Sequence, residues 1–142
     1  MDILSLFVIV PVITILVLIF SKNLKQSRVI AAVGMFVQFV MSLNLIFAYF
    51  KEKQVNDSIM VFTKDLLWFE KFNIHYTIGV DGISVAMIVL ASIVVLAGVF
   101  ISWKMEDLHK EFFISLIVLA TGVFGFFISL DLFTMFLFYE IA

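Results

Sequence analysis

The chain has 142 residues, of which 64% are hydrophobic and only 14% charged. A soluble domain carries about 45–50% apolar and about 25% charged residues, so this one is built for lipid. Its lack of Cys excludes disulfides, thiolate-held clusters and a cysteine nucleophile, and a net charge of −2 leaves no basic stripe for nucleic acid. Both histidines, His75 and His109, fall in polar connecting segments, where they offer no haem pair at membrane depth.

A spanning helix needs about 20 mostly apolar residues. Residues 3–20 form the first such run, broken only by Pro11, which neighbouring helices can accommodate. The acidic opening Met1-Asp2 lacks the positive charge of a secretory leader. Residues 29–50 form the second run and hold Gln38, Ser42 and Asn44, polar groups that can bond across helices or meet water. The long, mixed-charge segment 51–82 follows, and the alternation over 72–78 suggests a short surface strand or hairpin. The third and fourth spans are expected at 83–103 and 112–130. A fifth begins at Leu132 and runs about 16 Å to Ala142, so a longer polytopic protein is expected to continue beyond it.

The short connections carry Lys22, Lys25, Arg28, Lys104 and Lys110, all on one side. The opposite side has four basic residues, all in the long segment, which counts less; loops one and three are therefore expected in the cytoplasm and the N-terminus outside. Ser115, Gly122 and Ser129, with Gly125, recur along span four, as Ser84, Ala91 and Gly98 do along span three. Such faces serve close helix packing more often than a hydroxyl-lined path.

Glu140 is the residue that suggests chemistry. Eight residues past Leu132, it lies about 12 Å into the span, near the midplane. Its helical neighbours Phe133, Phe136 and Leu137 offer no partner. An ionised acid there costs at least ~2.5–3.5 kcal/mol, which a nearby cation offsets. Moving that cation switches the carboxyl, as a proton relay requires. The plain alternatives are a protonated packing acid or an acid that reaches back to water. Asp131 and Asp81 each precede a span and read as helix caps. Glu111 suits the positive start of span four, and His109 beside it reads as a solvated loop residue.

Several stretches resemble a known family. Trp68-Phe69 and the run Ile74-His75-Tyr76-Thr77-Ile78-Gly79-Val80-Asp81-Gly82-Ile83-Ser84 are similar to the segment before the third helix of the antiporter-like subunits of complex I, the proton-translocating NADH–quinone oxidoreductase. The ending Asp131-Leu132-Phe133-Thr134-Met135-Phe136-Leu137-Phe138-Tyr139-Glu140 resembles their fifth helix, and Ser102-Trp103-Lys104 also fits. Among these subunits the M type is most similar.

The resemblance implies an all-α, polytopic bundle of about fourteen helices with two inverted five-helix repeats, the first beginning at span four. It maps the family's helix-five glutamate onto Glu140, which is thought to pair with a lysine on a broken seventh helix, beyond this chain. It also implies proton translocation driven by distant quinone reduction in a bacterial inner membrane. The implied partners are the other membrane subunits, the lipid bilayer and the proton, with no nucleic acid and no direct NADH binding. No cofactor is expected in this chain; flavin and iron–sulfur clusters would sit in partner subunits. Two alternatives stand beside this reading: a subunit of a multisubunit cation/proton antiporter or energy-converting hydrogenase, and a non-transporting membrane scaffold.

Overall fold

The computed structural model describes residues 3–55, 58–69, 74–105 and 109–142. The chain forms α1 (Ile3–Ile19), α2 (Leu24–Val55), β1 (Val61–Phe69), β2 (Ile74–Val80), α3 (Gly82–Ile101), α4 (Lys110–Ile128) and α5 (Leu132–Ile141). It is a membrane-embedded helix bundle with a two-stranded hairpin at one end. α1, α2, α3 and α4 form a ring, each packed on its two neighbours; α2 and α4 also touch, and α5 lies against α4.

Three helices, α2, α3 and α4, are long and apolar enough to cross a membrane, and α1 with 17 residues is at the lower bound. The ten residues of α5 extend about 15 Å. The helix boundaries depart from the apolar runs in physically readable ways. α2 has 32 residues, about 48 Å, and overruns the expected 29–50 at both ends. Its flanks are rich in Leu, Lys, Gln, Arg and Glu and contain no Gly or Pro, so helix continues after the apolar stretch ends. Lys25, Arg28, Lys51 and Lys53 therefore sit on helix ends rather than in loops. α3 stops at Ile101 because Ser102–Lys104 tightens into a 3-10 turn. α4 stops at Ile128 because Ser129 leaves the helix to bridge Ile78.

β1 and β2 pair antiparallel, with Asp65 opposite Thr77, whose hydroxyl donates to the Asp65 carboxylate at 3.1 Å. The register slips between Val61 and Lys64, where Phe62 takes φ 59°, a left-handed conformation rare for a bulky residue. Of the expected strand 72–78, Phe72 and Asn73 lie outside the described residues, and β1 carries no alternation that marked it in advance. The hairpin sits on the α4–α5 turn: Leu130 N–H donates to the Thr77 carbonyl at 2.8 Å. At the opposite end of the bundle, Arg28 Nη2 donates to the Met105 carbonyl at 2.7 Å. Lys110 Nζ reaches the carbonyls of Ile19 and Ser21 at 3.2 and 3.4 Å, so it caps the end of α1. The short basic connections thus share one face of the molecule.

Candidate functional site on the fifth helix

The site is set by how α5 starts and how it rolls against α4. Asp131 is the N-cap: its Oδ2 accepts from the N–H groups of Phe133 at 3.0 Å and Thr134 at 3.1 Å. It satisfies two donors that the first helical turn cannot pair internally. The two glycines of α4 then fix the rotation. The ring of Phe138 occupies the space beside Gly125 where a side chain would stand, and Ala142 does the same at Gly122. With Thr134 and Phe138 turned inward and buried, the opposite side of α5 carries Leu132, Phe133, Phe136, Tyr139 and Glu140 as one exposed stripe.

Glu140 therefore lies on an uncovered face, bordered by large apolar and aromatic side chains. Among the described residues no hydrogen bond or ion pair reaches it. The described cations sit at helix ends, turns and the hairpin, away from the middle of the helices: Lys53 donates to the Ser58 carbonyl at 3.0 Å, while Arg28 and Lys110 hold the carbonyls named above.

The remaining polar residues have structural partners. Asp81 caps α3, accepting from Ser84 N–H at 2.7 Å, and that bond holds its carboxyl below the usual pKa. Glu111 lies in the first turn of α4, whereas His109 at the N-cap position is exposed and makes no capping bond. The small-residue faces divide. Gly122 and Gly125 serve α5, Leu116 stands 3.8 Å from where a Cβ on Gly98 would lie, and Ser129 is buried with its hydroxyl donating to the Gly125 carbonyl at 2.6 Å. Ser115 is exposed and takes no part.

Gln38 is fully buried, and its Nε2 donates to the Phe7 carbonyl at 3.0 Å. Phe7 is four residues before Pro11, which has no N–H to give it; Gln38 thus repairs, from α2, the break that proline makes in α1. Pro11 was the signal that could have chosen between the two readings of Gln38. Asn44, by contrast, bonds locally to the Val40 carbonyl at 3.0 Å. Ser42 and Ser92 join α2 to α3 through their hydroxyls at 2.8 Å.

Comparison with known proteins follows the same line. Over 125 residues the chain is 34% identical to NADH-quinone oxidoreductase subunit M of Buchnera aphidicola subsp. Baizongia pistaciae, a match that covers 86% of this chain. The chain is a homologue of the M subunits. A second such relative, the F(420)H(2) dehydrogenase subunit M of Methanosarcina mazei, is 27% identical over 139 residues, 97% of this chain. The chain spans about a quarter of these relatives, 25% and 27% of their lengths. Its fold is similar to a chain of the archaeal membrane-bound sulfane sulfur reductase, with a TM-score of 0.69 and 14% identity, covering 99% of this chain and 28% of that one. No family model matches the M-subunit homologue.

Proposed function

We propose that this chain belongs to a membrane subunit of an NADH–quinone oxidoreductase that takes part in proton translocation, with Glu140 as a proton relay. The observation that carries the reading is Glu140 itself, an acid on an apolar stripe of a membrane-embedded helix whose rotation is fixed by Asp131, Gly125 and Phe138. In lipid that stripe is stable only if protein or a proton meets the carboxyl. When a cationic partner approaches, Glu140 ionises and releases its proton to an adjoining water. When the partner withdraws, the carboxylate takes a proton from the other side. The partner is a lysine of the longer subunit, and the energy comes from quinone reduction in other subunits of the complex.

The work is divided accordingly. Electron transfer from NADH, through flavin and iron–sulfur centres, belongs to partner subunits. The likeness to subunit M of an F(420)H(2) dehydrogenase fits this division, because the proton-handling part need not know the electron donor. The protein sits in the bacterial plasma membrane, with the Lys22–Lys25–Arg28 end toward the cytoplasm and the N-terminus outside.

Glu140→Gln in the full-length subunit, assembled in its complex, is the test. Translocation is expected to fall at least tenfold, measured as proton uptake into vesicles, while the complex still assembles. Unchanged pumping with an intact complex overturns the relay and leaves the scaffold reading.

A further inference from the structure

α1 and α2 pack tightly at Gly34, where Thr14 stands 2.5 Å from the position a Cβ would take. Beside that contact an open groove of about 310 Å³ lies between Ile13 and Val17 on α1 and Val29, Ile30, Val33 and Gly34 on α2. Toward the start of α2 the walls Val29 and Ile30 continue into a second hollow of about 560 Å³, shared with Asn23, Lys25 and Gln26. The two hollows adjoin at Val29 and Ile30, with a polar, cationic mouth at the end of the bundle and apolar walls from Lys25 to Val33, about 12 Å along α2.

We propose that this groove seats one anionic phospholipid, with an acyl chain against Val29, Val33 and Ile13 and the phosphate at Lys25. Any apolar helix face meets lipid, but a flat face holds no particular molecule. Here a chain touches two helices at once, and each methylene withdrawn from water or loose lipid contact adds to retention. Charge complementarity selects the headgroup. No acidic residue lines either hollow, and Lys25 is the cation at the mouth. The inference needs membrane embedding but not Glu140, so it can fail while the relay stands.

The test uses the full-length protein extracted from its native membrane in mild detergent, with retained lipid counted by native mass spectrometry. Phosphatidylglycerol and phosphatidylcholine of identical chains are supplied in competition, with glycerol phosphate as a headgroup-only probe. Lys25 and Val33 are both exposed, so Lys25→Gln and Val33→Trp should fold normally, which thermal melting checks. Phosphatidylglycerol should be retained about fivefold over phosphatidylcholine. Lys25→Gln should bring the two to parity, Val33→Trp should reduce both, and glycerol phosphate should displace neither. Equal retention of the two lipids by the wild type, or wild-type behaviour of both variants, overturns the proposal. Displacement by glycerol phosphate overturns it in favour of a free anion site. A crosslink from position 33 to another protein subunit in the membrane overturns it in favour of a docked helix.

Discussion

A proline in a membrane helix leaves a carbonyl that water cannot reach, and Gln38 answers it from the neighbouring helix. The pairing has a measurable signature. Gln38→Leu strands the Phe7 carbonyl in a buried setting, at a cost of about 1–3 kcal/mol. In a Pro11→Ala background the alanine N–H serves that carbonyl, so the cost of Gln38→Leu should largely disappear. Thermal unfolding of the four variants in detergent measures the coupling, and additive losses would refute it. Asp81 offers a second check outside the membrane. Its folded carboxyl titrates below its unfolded value, so the cap's stabilisation is present above the unfolded pKa and is lost as pH falls through the folded one. Asp81→Ala should therefore lower stability by about 1 kcal/mol at pH 7. The gap should close as pH drops below about 4. The capping roles of Asp81 and Asp131 were legible in advance because capping is local chemistry, decided within three residues of the helix start. The partner of Gln38 lies 31 residues away, and nothing in its own surroundings names it.

Among the elements, the α4–α5 pair decides where the acid points. Its contact depends on two positions without side chains, and Gly125→Val should force the Phe138 ring out of its place. Overpacking of this kind costs about 1–3 kcal/mol. It should also turn α5, which raises the reactivity of a cysteine introduced at the buried Thr134 toward a membrane-permeant maleimide. Unchanged reactivity and stability would mean that the glycines do not set the rotation. The sequence marked Gly122 and Gly125 as packing residues but placed Ser115 with them, and Ser115 is exposed. A seven-residue repeat drifts by about 20° per heptad on a straight helix, so a long stripe cannot stay against one neighbour. α2 shows the converse limit. Hydropathy reports where lipid lies, whereas helix continues wherever backbone bonds and propensity allow, here well into the polar flanks.

At the scale of the molecule, the bundle, the lipid setting and the position of Glu140 along the fifth helix were all fixed by composition and by runs of apolar residues. These are one-dimensional facts, since crossing a membrane requires every backbone group to bond within its own segment. The hairpin's first strand, its seat on the α4–α5 turn and the bond from Leu130 to Thr77 were not legible, because pairing across 53 residues leaves no periodic trace in either partner. Nor could the chain alone say that the face bearing Glu140, Phe133 and Phe136 is left uncovered while Thr134 and Phe138 turn inward. Hydrophobicity is nearly uniform around α5, so no amphipathic signal sets its rotation; only the void beside two glycines on α4 does. The sequence by itself thus determined that an acid lies on an apolar helix. Packing between helices determined which way it faces.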